Sequence, residues 1–144
     1  MRANSQAVAL RVLSMAMGIF LLFMGLDKID WFVNGGLLTQ QLQQWRGMGR
    51  PLARWYIDTI ALPGAPVLAR VVPLAELVAG TALLLGVRVR LAAALAVLMV
   101  INFHVAADVI FRYEYLWNGY GPPVLGALLA LSIGGVRLPF SLSK

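Results

Sequence analysis

Six polar side chains carry whatever chemistry this chain performs inside its apolar stretches: Lys28, Arg70, Glu76, Asn102, His104 and Asp108. Glu76 lies about ten residues inside the apolar run 66–87. A carboxylate at bilayer depth costs ~2.5–3.5 kcal/mol on insertion scales and is retained where it has a partner or a task. Such a group can neutralise a cation, hydrogen-bond a polar head group or carry a proton. Two cations compete for it. Lys28 closes the first apolar run, and its flexible stem either snorkels to water or turns inward. Arg70 stands higher on the same run as Glu76. An ion pair here serves either as glue between helices or as a proton-active site, and the residues leave both readings open. His104 and Asp108 are four apart, which on a helix places them on one face near the outer leaflet. A carboxylate one turn away would favour the protonated imidazole and fix its tautomer. The alternative is a hydrogen-bonded structural histidine. Asn102 points about 200° away on the wheel, so one of the two meets the first and second spans while the other meets the fourth span or a second copy of the chain. No residue is assigned a catalytic role.

The elements that must position these groups are four apolar stretches, 8–26, 66–87, 91–110 and 122–138. A helix of roughly 17–25 residues crosses the hydrocarbon core, and all four fall within or near that length. The composition agrees, with 60% hydrophobic and 12% charged residues among 144 and a mean hydropathy of +0.80. Soluble domains carry about a quarter charged residues. The expected fold is all-α: one membrane domain over 1–144, a four-helix bundle with an outer loop, 27–65, between spans one and two. The short turn Arg88-Val89-Arg90 makes spans two and three antiparallel neighbours. The first stretch, preceded by Arg2, is expected to be a retained helix, since no A-x-A-like cleavage site precedes Asp27-Lys28-Ile29-Asp30.

Small residues should decide which faces look inward. Ala69, Val72, Pro73, Ala79, Gly80 and Leu83 share the face of Glu76, and small side chains let a neighbouring backbone approach. Pro73 frees the Ala69 carbonyl for another partner. Ser14, Gly18, Gly25 and Lys28 form a matching stripe on the first span. In the outer loop, Leu37, Leu38, Leu42 and Trp45 recur at helical spacing against Gln40, Gln41, Gln43 and Gln44. A second amphipathic piece sets Leu52, Trp55, Tyr56 and Ile60 among Arg54 and Asp58. Both read as interfacial helices, a lid over the bundle or a partner surface. The Leu-Pro-Gly-Ala-Pro run at 62–66 should break this layer and launch the second span. After the third span, Arg112, Tyr113, Glu114, Tyr115, Leu116 and Trp117 read as an aromatic belt with a surface charge pair.

Charge orients the whole. Arg2, Arg11, Arg88, Arg90, Arg137 and Lys144 fall on one side, whereas all six acids lie towards the other side or within its spans. The positive-inside rule then gives N-in and C-in. Arg46, Arg50 and Arg54 lie in the longer loop, where that rule loses force. Anionic lipid and topology explain the net charge of +6 better than nucleic acid does. With no cysteine, thiol redox chemistry, thiolate zinc and iron–sulfur ligation are excluded. No zinc pattern, phosphate loop or nucleophile elbow occurs, Ser141 and Ser143 have no base nearby in sequence, and a single histidine cannot supply bis-His haem ligation.

Gly25-Leu26-Asp27-Lys28, then Pro73-Leu74-Ala75-Glu76-Leu77-Val78-Ala79-Gly80, then Leu84-Leu85-Gly86 through to Arg90, taken in this order and spacing, resemble the DoxX family. The resemblance implies a four-helix bacterial inner-membrane protein associated with oxidoreductase systems, as in the DoxD subunit of a thiosulfate:quinone oxidoreductase. It also implies that Lys28 and Glu76 occupy positions the family motif favours, whereas His104 and Asp108 have no place in that motif. The wider group serves diverse activities, so none transfers by fold alone. Three functions follow in order: a redox subunit binding a quinone or similar lipid-soluble molecule and fed by a partner protein, a scaffold recruiting an enzyme, and a small-solute transporter, which no inverted repeat supports.

Overall fold

A computed structural model describes residues 5–142 as helices joined by short turns; Arg2, Ser143 and Lys144 lie outside the described residues. Helix α1 spans Ser5–Asp27 and runs into a 3₁₀ turn, Ile29–Phe32. Helix α2, Gly36–Met48, follows. Helix α3, Pro51–Tyr56, passes through a π turn, Ile57–Ala61, into α4, Leu62–Leu85. Helix α5 is Val89–Ala106, and a second 3₁₀ turn, Tyr113–Trp117, leads to α6, Pro122–Gly134.

Among the described residues, three helical runs are long and apolar enough to cross a membrane: Ser5–Asp27, Pro51–Leu85 and Val89–Ala106. The expected fourth span is shorter than 122–138. At 1.5 Å per residue, the 13 residues of α6 reach about 20 Å, less than the ~30 Å of a hydrocarbon core. Gly134 and Gly135 end it, because paired glycines hold a helix poorly.

The expected break at 62–66 does not occur. Pro63 sits in the first turn of α4, and its i−4 carbonyl belongs to Thr59 within the widened π turn. A π turn adds a residue to the local repeat, so the N–H that proline lacks is not needed there. The helix therefore continues, and its first third faces differently from the expected pattern. Ala53, Ile57 and Ala61 are buried, whereas Leu52, Trp55 and Ile60 are exposed. Ahead of it, α2 buries Leu38 and Leu42 against Ile57, Ala61, Ala65 and Ala69.

Glycine sets a close backbone approach between α1 and α4. A Cβ on Gly18 would lie 2.6 Å from the Leu84 backbone N and 2.8 Å from the Gly80 carbonyl oxygen, and one on Gly80 would lie 2.7 Å from the Leu22 N. The two backbones touch, which only glycine permits. The inward face expected around Glu76 is indeed buried, from Ala69 and Val72 through Pro73, Ala79 and Gly80 to Leu83. Helix α5 then packs on α4, α6 on α5, and α6 returns to α1. Ala93, Ala96, Leu128 and Leu131 fill the resulting core. Outside it, Phe23, Val67, Val78, Leu95 and Leu98 are largely exposed, an apolar exterior suited to lipid and not to water.

Candidate functional site

The end of α1 and the middle of α4 bring Lys28 to Glu76. Lys28 Nζ lies 3.0 Å from Glu76 Oε1 and 3.0 Å from Oε2, and donates to the Met24 carbonyl at 2.9 Å. Both residues are buried, with 8% and 3% of their surface exposed. The lysine stem therefore turns inward. Arg70 does not compete, since its Nη1 donates to the Pro66 carbonyl one turn back, at 2.7 Å, on the exposed side of α4. A helix places residues six apart on different faces, which the run of apolar letters around Arg70 concealed.

This pair forms part of the wall of a cavity of about 380 Å³ between α1, α2, α4 and α5. Phe20, Trp31, Trp45 and Phe103 supply aromatic lining, and Asp27, Gln41 and His104 add polar groups. The ammonium of Lys28 is 5.6 Å from the Phe103 ring centroid and 6.0 Å from that of Trp31, close enough for cation–π attraction. Trp45 meets Phe103 edge-on, with centroids 6.5 Å apart. The cavity thus combines an apolar interior with one buried ion pair and one imidazole.

His104 is held by Tyr115, a partner that the four-residue spacing to Asp108 did not suggest. Its Nδ1 is 3.1 Å from the Tyr115 hydroxyl, and the rings meet at 74° with centroids 5.2 Å apart. Asp108 is not its partner. Helix α5 ends at Ala106, not 110, and Asp108 takes a left-handed backbone, φ 54°. The four-residue spacing then no longer means a shared face. Apolar residues continue past the helix end, and this hid the turn from sequence reading.

Asp108 instead binds two arginines that the sequence did not associate with it. Arg50 Nε lies 3.1 and 3.0 Å from its carboxylate oxygens, the Arg50 backbone N–H donates at 3.1 Å, and Arg112 Nη2 lies at 3.0 Å. The hydrogen bond from the Arg50 side chain, helped by Arg112, holds this carboxyl below its ordinary range despite burial. The contact ties the α2–α3 junction to the end of α5. Arg112 therefore pairs with Asp108, and not with Glu114 as the belt reading implied.

Asn102 also leaves the cavity. Its Oδ1 accepts a short hydrogen bond from the Tyr56 hydroxyl on α3, a partner that neither expected placement named. Sequence reading also missed Gln41, Trp31 and Arg11. Gln41 could have been found, because 38, 41, 42 and 45 mark one helical face. Arg11 is buried, donating to the carbonyls of Leu83, Leu84 and Phe140 at 3.0, 2.8 and 3.2 Å. Among the described residues no group of three or more histidine or acidic side chains is placed to hold a metal ion.

A family model described as DoxX matches residues 8–108 of the chain. That range includes Lys28, Glu76, His104 and Asp108. No curated protein and no solved structure matches it.

Proposed function

The chain is a membrane protein belonging to the DoxX family, and from that premise we propose that it is the membrane subunit of a redox system that holds a quinone or similar isoprenoid in the cavity beside Glu76. We place it in the bacterial inner membrane, N-in and C-in, with α1, α4, α5 and the short α6 as a four-helix bundle and α2 and α3 at the outer interface. The single observation that carries this reading is the buried Lys28–Glu76 pair on the wall of an aromatic cavity. Ligand pockets typically combine apolar walls with a few convergent polar groups.

A quinone offers two carbonyl acceptors and an apolar tail. Lys28 turns one of its three N–H donors from the Glu76 carboxylate to a head-group carbonyl, Trp31 and Phe103 flank the ring, and apolar side chains such as Phe20, Met24 and Val100 receive the tail. Reduction to the quinol takes up two electrons and two protons. The partner oxidoreductase supplies the electrons, and Glu76 and His104 pass the protons. The test is quinone titration of the protein in nanodiscs. Saturable binding is expected, weakened about tenfold or more by His104→Ala and Glu76→Ala and unchanged by Asn102→Ala, which alters a side chain outside the cavity. Non-saturable uptake, equal in all four proteins, sinks the reading.

A second reading, a scaffold for a partner enzyme, draws on the exposure of Leu52 and Trp55, 51% and 57%. Photo-crosslinking from Trp55 separates the two. Abundant adducts together with partner activity indifferent to Glu76→Gln favour the scaffold.

A further inference from the structure

Opposite the cavity, the turn between α4 and α5 meets the C-terminal segment in a basic groove of about 620 Å³. Arg88, Arg90 and Arg137 line it, together with Ser141. None of the six acids of the chain lies there. Two of the arginines occupy left-handed backbone, Arg88 at φ 44° and Arg137 at φ 50°. Non-glycine residues adopt that region at a cost, and such strain clusters at ligand clamps. Arg90 Nε donates to the Ser132 carbonyl at 3.1 Å, which fixes this side chain against α6. The Ser141 Oγ is buried and has no hydrogen-bond partner in the protein. The groove also lies at the N-terminus of the 18-residue helix α5, where the helix dipole favours an anion.

Beside this groove runs a second, apolar one of about 610 Å³ along α4 and α5, lined by Val78, Leu91, Leu95 and Met99 among others. The two share Arg88 and Leu91. A basic hollow at a helix end, opening into an apolar channel along the lipid-facing surface, has the shape and polarity of a phospholipid.

We propose that this end of the protein is a binding site for one anionic phospholipid. Its phosphate is held by Arg88, Arg90 and Arg137, with Ser141 donating a hydrogen bond, and one acyl chain lies along α4 and α5 over Val78 and Leu95. Arginine suits the task because its planar fork matches a phosphate bidentately, and basic hollows between membrane helices hold such head groups. A free phosphate ester would satisfy the arginines but leave the apolar groove unfilled. The inference is independent of what occupies the cavity beside Glu76.

The test is native mass spectrometry of the full chain released from mixed phosphatidylglycerol and phosphatidylcholine. The wild type should retain one phosphatidylglycerol in preference to phosphatidylcholine, and Arg88→Gln with Arg137→Gln should lower that preference about fivefold per arginine removed. Val78→Phe, which fills the exposed groove, should reduce retention of phosphatidylglycerol while glycerol phosphate fails to displace it. Equal retention of the two lipids by the wild type overturns the proposal and needs no variant to fold. Displacement of the lipid by millimolar glycerol phosphate overturns it as well, since the site would then recognise the phosphate alone.

Discussion

Lys28 Nζ stands 3.0 Å from both carboxylate oxygens of Glu76, 48 positions further along the chain, and this contact spans the same α1–α4 interface at which Gly18 and Gly80 bring the two backbones together. Both side chains are nearly buried, so the two charges answer to each other, to the Met24 carbonyl and to the aromatic rings of the cavity wall.

Removing one partner should strand the other. Breaking a buried pair costs about 3–5 kcal/mol, whereas replacing both with apolar residues is often neutral. Lys28→Met and Glu76→Leu should each lower the unfolding midpoint in detergent, and the double variant should recover much of the loss. Equal midpoints for the wild type and both single variants would show the pair to be energetically idle.

Glycine at the crossing is a steric requirement. Gly18→Ala and Gly80→Ala place a methyl group under 3 Å from backbone atoms, and overpacking of this kind costs about 1–3 kcal/mol. Gly126 on α6 is the control, because a Cβ there meets nothing within 4 Å. Gly126→Ala should be neutral or stabilise by up to about 1 kcal/mol through helix propensity. Thermal unfolding of the three variants side by side checks the ranking.

Acid should loosen the outer layer through Asp108. Its carboxyl is held below the ordinary value of 3.8 by Arg50. A group more acidic when folded contributes stability that is fully present above its unfolded value and lost as pH falls through the folded one. Hydrogen exchange across α2 and α3 should therefore accelerate below about pH 4. Asp108→Asn should exchange faster at neutral pH and respond less to acid; identical profiles for the two proteins would remove Asp108 as the latch.

Arg11 should resist conservative replacement. Its guanidinium serves three carbonyls at the end of α4 and the C-terminal segment, a fork that a lysine ammonium cannot reproduce. Hydrogen bonds to charged groups contribute about 1.5–3 kcal/mol, so Arg11→Lys and Arg11→Met should both destabilise and free residues 138–142 to exchange. Full rescue by lysine would mean that charge alone matters there.

Some of this was legible in the letters. A helix satisfies its own backbone hydrogen bonds, so long apolar runs announced α1, α4 and α5 without reference to anything else in the fold. The small face around Glu76 followed from helical periodicity, and with it the inward direction of the carboxylate.

Partners were decided elsewhere. A lysine stem reaches several ångströms in any direction, so only the meeting of α1 with α4 selected Lys28 over Arg70. His104 and Asp108 were parted because α5 stops at Ala106, and that stop is stabilised by Arg50, an arginine 58 positions away. The π turn that carries the chain past Pro63 likewise rests on packing across the fold, with its Ile57 and Ala61 buried against Leu38 and Leu42 of α2. Local periodicity in the sequence specified the helices and their buried faces, since it depends on near neighbours. Ion pairs depend on distances between segments, which exist only once the chain is packed.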